Sequence, residues 1–425
     1  MAIPCTHPAD LLVLFMQRIY DKGLTTTSGG NLSIMDHEGN IWITPAAVDK
    51  GTLTPKDMVC VHPDGTWEGI HRPSSELPFH RSIYHLRPDL KAVLHAHPPA
   101  LVSFSIVRKV PRLDLIPSIG PVCGHAQVAA YAVPGSEELG KNIGKVFADG
   151  CDIAILENHG VCIGAPDLAT AYCRFETLNY TAQLEILAAK LGGAKPQKQA
   201  VTNCHTAMED FTPELPSAEE ASARRDMIAL LRRGYRLGLF TATHGTFSLR
   251  LSDGSFLMTP YGKDRAYLEE GDLVRVLDSK KEAGKTPSRA VRLHRLIYEN
   301  NPHVRTVLQA HPLHAMAFAV TEGVLDPKIM PESYVFLRDI CKLPFDRMYT
   351  DPVAFSRQFG PKNPAFLVEN DCVMVTGDSL LQAFDRLEVL ELTARSIMDS
   401  YVLGQIVQIS DEEIKDVKKA FHLED

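Results

Sequence analysis

The chain has 425 residues, too many for one ordinary core and comfortable as two domains of roughly 200. Its formal net charge of −8 removes the basic face that phosphate backbones demand, so no nucleic-acid partner is expected. Apolar residues make up 45%, an ordinary globular share, yet no apolar run approaches the ~20 residues that span a bilayer, and no membrane partner is expected.

The first residues, Met-Ala-Ile-Pro-Cys-Thr-His, lack the basic-then-apolar plan of a signal peptide. Leu11 to Tyr20 then has helical spacing, with Asp10 available as its cap. Thr26 to Asn31 is a turn of small residues whose backbone N–H groups can form an anion nest. Asn31 to Ile34 and Ile41 to Thr44 read as short strands around an Asp-His-Glu-Gly-Asn turn. A helix follows over Glu76 to Leu86, with Ser74 or Ser75 as cap and Pro78 in the tolerated first turn. Ala92 to His97 and Ile153 to Leu156 are strands, and Gly164 to Leu187 is a long helix. Leu191 to Glu220 has Gly-Gly, Lys-Pro, Thr-Pro and Leu-Pro steps and little periodicity, the marks of a linker or surface excursion. The nine cysteines are scattered and odd in number, without a Cys-x-x-Cys pair. They read as free thiols in a reducing compartment, and a cytoplasmic location is expected.

Beyond the linker the sequence repeats itself. Arg72 to Tyr84 aligns without a gap on Thr286 to Tyr298, and Val-Leu-His-Ala-His-Pro (93–98) aligns on Val-Leu-Gln-Ala-His-Pro (307–312). Gly-Gly-Asn-Leu-Ser-Ile (29–34) pairs with His-Gly-Thr-Phe-Ser-Leu (244–249), and Ile43-Thr-Pro pairs with Met258-Thr-Pro. The long helix recurs over Gly377 to Met398. So long a period is that of a fused pair of domains, not of a solenoid. The expected division is 1–195, a linker over 196–217, and 218–425, each domain an α/β fold with mixed strand order.

The two copies differ in their reactive groups. Residues two apart on a strand face the same way, so His95 and His97 are placed to grip one cation, with His159 in Glu-Asn-His-Gly as a third nitrogen. Gln309 replaces His95, Asp371 replaces His159 and Ala290 replaces Glu76, while His97 persists as His311. Ordinary core histidines have no reason to vanish together, so one working site and one retired site are expected. Glu76 is a candidate fourth ligand, or a base that leaves the metal when substrate arrives. Ser74 and Ser75 offer hydroxyls at a helix start, a second anion-binding feature.

Ser-Gly-Gly-Asn-Leu-Ser, Ile-Thr-Pro, Pro-Ser-Ser-Glu, His-Ala-His-Pro and Asn-His-Gly, in this order, resemble the class II aldolase/adducin family. The likeness covers nearly all of the first copy and, more loosely, the second. It implies two tandem domains, each a three-layer α/β/α sandwich around a mixed or antiparallel sheet. It also implies one Zn2+ per chain, or another divalent metal in its place, on His95, His97 and His159, with Glu76 as acid/base and Gly30, Asn31, Thr44, Ser74 and Ser75 at the phosphate end. The implied reaction is retro-aldol cleavage of a phosphorylated ketose through a metal-stabilised enediolate, without a Schiff-base lysine. A dehydratase or decarboxylase on the same site is the alternative, and a non-catalytic adducin-like scaffold is the rival from another class.

Two departures from the family stand out. Ala46-Ala47 replaces its small residue plus glycine, although the second copy keeps Gly262. The first copy also lacks the tyrosine that family aldolases take from a neighbouring subunit, whereas the second offers Tyr334. The copies are therefore expected to be complementary, Tyr334 serving as proton donor across an interface, unless it is a packing aromatic. A homodimer building a four-domain ring with two live sites is the expected assembly.

Overall fold

A computed structural model describes residues 7–195 and 207–423, and the 196–206 part of the expected linker lies outside them. Two compact units divide the chain. Unit 1 holds residues 1–114 and 118–183, and unit 2 holds 115–117 and 184–425.

Unit 1 opens with α1 (Pro8–Asp21), followed by β1 (Asn31–Met35), β2 (Ile41–Ile43), β3 (Val59–Val61) and β4 (Trp67–Glu68). Then come α2 (Leu77–Leu86), β5 (Ala92–Ala96), α3 (Pro99–Ile106), α4 (Ile119–Cys123), β6 (Ala126–Ala129) and α5 (Glu137–Ala148). The hairpin β7 (Ile153–Leu156) and β8 (Gly160–Ala165) leads into α6 (Leu168–Lys190). The eight strands form one sheet in the order β4-β3-β2-β1-β5-β8-β7-β6, antiparallel except for the parallel pair β6/β7.

Period-two alternation gives this sheet two apolar faces. Ile41, Ile43, Val93, Ala154 and Leu156 meet Phe79, Ile83, Ile143 and Phe147 of α2 and α5 in one core. Leu32, Leu94, Ile155 and Ile163 alternate with them, point the other way and are equally buried. On that side α1 and α3 pack against β1, β2, β7 and β8. The result is the expected layered sandwich. The helix starts differ from expectation. Pro8 begins α1, so the His7 ring rather than Asp10 accepts the free Ala9 N–H at 3.2 Å. Glu76 is the flanking residue of α2, while Ser74 Oγ accepts from Glu76 N at 3.3 Å.

Unit 2 repeats the plan. Its elements begin with β9 (Asp210–Phe211), α7 (Ala218–Arg236), β10 (Thr246–Arg250), β11 (Phe256–Met258), β12 (Val274–Leu277) and β13 (Lys280–Glu282). They continue through α8 (Val291–Asn300), β14 (Thr306–Ala310), α9 (Leu313–Ala319), α10 (Pro331–Leu337) and β15 (Cys341–Leu343). The chain closes with α11 (Arg347–Thr350), α12 (Pro352–Ser356), β16 (Ala365–Val368), β17 (Cys372–Gly377), α13 (Leu380–Ser400) and α14 (Asp411–Ala420). Its sheet order, β15-β16-β17-β14-β10-β11-β12-β13-β9, reproduces that of unit 1 with one addition. Asp210 and Phe211, within the segment read as a linker, pair in parallel with β13 at the edge. Among the described residues no helix is long and apolar enough to cross a membrane.

Candidate metal centre

β5 ends at Ala96, one residue short of the expected strand, and His97 follows directly. His95 and His97 nevertheless face the same way, their Nε2 atoms 3.0 Å apart. His159 arrives from the β7–β8 hairpin. Its turn needs a left-handed residue, which Asn158 supplies at φ 53°, a conformation asparagine tolerates. The ring of His159 lies 4.8 Å from His95 and 5.0 Å from His97, centroid to centroid. One ligand atom from each of the three falls within 4.8 Å of the others.

Three glycines permit this convergence. A Cβ on Gly160 would stand 2.6 Å from both Ala96 O and His97 Cδ2. One on Gly29 would stand 2.9 Å from His97 Nδ1, and one on Gly30 would stand 2.7 Å from His95 O. Backbone and ring therefore leave no room for a side chain at these places.

The ring chemistry fits a divalent cation. His95 Nδ1 lies 2.9 Å from the Val161 carbonyl, so it carries the proton and turns the bare Nε2 toward the centre. Burial, followed by the neighbouring His159, pushes the His95 imidazole down to about 3. Burial, followed by His95 and His159, does the same to His97, with Glu76 opposing. Burial also lowers His159, again against Glu76. Neutral imidazoles with convergent lone pairs are what a divalent metal requires. His159 Nδ1 is buried with no protein partner.

Glu76 closes the site. Its Oε2 is 3.3 Å from His95 Nε2, and its Oε1 is 3.8 Å from His159 Nε2. Asn31 Nδ2 donates to Oε2 at 2.7 Å, and Asn31 is cross-strand partner to His95. Behind Asn31 runs a buried chain that sequence reasoning missed. His80 Nε2 meets Asn31 Oδ1 at 2.5 Å, His80 Nδ1 meets Ser33 Oγ at 2.7 Å, and Ser33 Oγ meets Tyr84 OH at 2.7 Å. All three residues recur in the second copy as Ser248, His294 and Tyr298, and that recurrence was the available signal.

The expected phosphate residues divide. Gly30, Asn31 and Ser74 are buried beside the centre's elements, and Ser75 is exposed. Thr44 is wholly buried, with its hydroxyl accepting from Leu32 N at 3.1 Å. Tyr334 sits in α10 of unit 2, 5% exposed. In unit 2 the equivalent register places Thr246 opposite Gln309, with no triad among the described residues.

The family model for the class II aldolase and adducin N-terminal domain matches residues 10–186 and again 225–398. A 3-oxo-tetronate 4-phosphate decarboxylase of Pectobacterium atrosepticum is 31% identical over 169 residues, 39% of this chain and 77% of its own. An L-fuculose phosphate aldolase of Methanococcus maripaludis is 34% identical over 176 residues, 41% of this chain and 93% of its own. A solved L-fuculose 1-phosphate aldolase aligns at 30% identity and TM-score 0.41, over 45% of this chain and 90% of that one. With both copies matched and the three histidines gathered in the first, the chain belongs to the class II aldolase and adducin family, as a tandem repeat.

Proposed function

We propose that this protein is a zinc-dependent lyase that cleaves a phosphorylated ketose by a retro-aldol reaction, using the site in unit 1. The observation that carries this reading is the meeting of His95, His97, His159 and Glu76 in one copy only. A divalent cation bound there supplies Lewis-acid stabilisation for negative charge developing on the substrate's oxygens. The chain's own groups do the rest. Three neutral imidazoles hold the cation without competing for protons. Cleavage next to a carbinol requires its hydroxyl proton to leave as the carbon–carbon bond breaks. Glu76, tethered by Asn31, is the carboxylate in position to carry that proton. Ser74 and the N–H groups around Gly30 face the anionic end.

Decarboxylation is the second reading, favoured by the likeness to 3-oxo-tetronate 4-phosphate decarboxylases. Both reactions leave an electron pair on carbon beside a carbonyl, so one site serves either. Zinc-loaded enzyme incubated with ketose 1-phosphates and with phosphorylated 3-oxo acids separates them. Aldehyde release supports the aldolase, carbon dioxide the decarboxylase, and turnover of neither supports the scaffold. We further propose a homodimer, which light scattering in solution tests directly.

A further inference from the structure

His95 and His97 are oriented in different ways. The Val161 carbonyl holds the His95 ring through Nδ1 at 2.9 Å. His97 has no such partner, and among the described residues its one hydrogen-bond contact is with His95 Nε2, at 3.0 Å. Backbone confines its ring instead. A Cβ on Gly29 would stand 2.9 Å from His97 Nδ1, and one on Gly160 would stand 2.6 Å from His97 Cδ2. Metal-binding histidines are ordinarily fixed by a hydrogen bond to the second ring nitrogen. Here packing takes that role, so the aim of His97 depends on where Gly29 and Gly160 stand.

Gly160 is fixed by the sheet, as the first residue of β8 and the cross-strand partner of Leu156. Gly29 lies in a turn, two residues ahead of β1. The middle of that turn is tied by backbone, Lys50 N donating to Thr27 O at 2.9 Å. The Gly29 carbonyl is tied by a side chain. Thr25 Oγ1 donates to it at 2.9 Å, and Thr25 is only 8% exposed. The same hydroxyl lies 3.1 Å from the Cβ position of Gly29 and 3.1 Å from that of Gly30, the residue that abuts His95 O. One buried hydroxyl thus sits under the backbone that meets both histidines, where no water replaces it at little cost.

The second copy has lost this strut. Phe240 stands where unit 1 has Thr25, and His244 stands where it has Gly29. His244 packs 4.6 Å from His311, the counterpart of His97, and His311 Nδ1 is buried without a protein partner. Thr25 and Gly29 therefore changed in the same copy that lost the counterparts of His95, His159 and Glu76.

We propose that Thr25 is a positioning residue of the metal centre: its hydroxyl fixes Gly29, and through Gly29 the ring of His97, without touching metal or substrate. The inference rests on the reading of unit 1 as a metal centre.

The test is the zinc affinity of the full chain, measured by competition with a chromophoric chelator in wild type, Thr25→Val and Thr25→Ser. Partners behind a metal ligand are worth roughly 10–100-fold, so Thr25→Val is expected to bind zinc at least about tenfold more weakly. Thr25→Ser keeps the hydroxyl and is expected to stay within about threefold of wild type. Visible absorption of the cobalt-loaded chains supplies a second readout, because it follows the geometry at the metal. The Thr25→Val bands are expected to shift and the Thr25→Ser bands to match wild type, whereas a merely looser fold would leave both unchanged. Circular dichroism confirms folding, and Thr25→Ala stands in if the valine variant does not fold. A wild-type chain that binds no zinc would overturn this inference together with the metal-centre reading. Zinc bound as tightly by Thr25→Val as by wild type, or as weakly by Thr25→Ser as by Thr25→Val, would overturn this inference alone.

Discussion

Asn31 and Glu76, far apart in sequence, are joined by a 2.7 Å hydrogen bond from the Asn31 amide to the carboxylate. The other end of that amide is held by His80 at 2.5 Å, so Glu76 is fixed through β1 and not merely by its place before α2. Outer partners of this kind are worth roughly 10–100-fold in metal affinity or activity. Asn31→Ala is therefore expected to lower turnover by about that factor while metal content stays near that of the wild type. Unit 2 already tolerates the same loss, since His294 Nε2 is buried there without a partner. Unchanged turnover in Asn31→Ala would show that Glu76 needs no such tether.

Tyr334 supports a sharper test of how the copies cooperate. A proton donor to a substrate outside its own unit needs an accessible hydroxyl, and at 5% exposure Tyr334 has the burial of a packing residue. Tyr334→Phe is thus expected to retain turnover within about threefold and to bind metal normally, a change well under the factors attached to acid–base groups. A hundredfold loss of turnover with metal retained would restore the tyrosine as a donor from a neighbouring subunit.

The exchange of glycine for alanine after Ile-Thr-Pro has a structural cost. Ala47 holds φ 56°, and its counterpart Gly262 holds φ 68°. Left-handed backbone costs a residue with a Cβ about 1–2 kcal/mol, and part of that is offset because glycine frees the unfolded chain. Ala47→Gly is expected to stabilise the protein by about 1 kcal/mol, and Gly262→Ala to destabilise it by a similar amount. Denaturant titration of both variants measures this. Opposite signs would mean that the turns are held by other contacts.

Much of this architecture is legible in the residues. The repeat is readable because both copies keep the same motifs in the same order, and the two sheets share one strand order as a consequence. His95, His97 and His159 stand out because their counterparts changed together. The Ser33–His80–Tyr84 chain escaped notice for the opposite reason. Both copies keep it, with Ser248 Oγ 2.7 Å from His294 Nδ1 and 2.6 Å from Tyr298 OH, so no contrast between the copies singles it out. Gly29 and Gly160 were illegible because what excludes a side chain there is a ring or carbonyl distant in sequence. The start of α1 was misplaced because a histidine ring can cap as aspartate does.

Acid should weaken the fold, and unit 2 shows why. Burial, with Arg265 and Arg289, holds His244 down to about 4, and burial holds His294 down to about 3. Burial and then His244 hold His311 well below the ordinary 6.5. Below pH 6.5 the unfolded chain takes up protons that these folded groups refuse, so stability is present above that pH and falls beneath it. Asp371 opposes this, because burial pushes it up to about 6 and the folded state then binds its proton first. Three groups against one leave a net loss of stability as the pH falls from 6 to 5. Urea midpoints at pH 7 and pH 5 measure it, and an equal or higher midpoint at pH 5 would contradict the assignment.

The central claim is one live metal centre per chain, and elemental analysis of the purified protein beside His97→Ala tests it most directly. The account predicts about one zinc per chain in the wild type and none in the variant. Protein prepared without chelator that carries no metal, or a variant that keeps its metal, would contradict it.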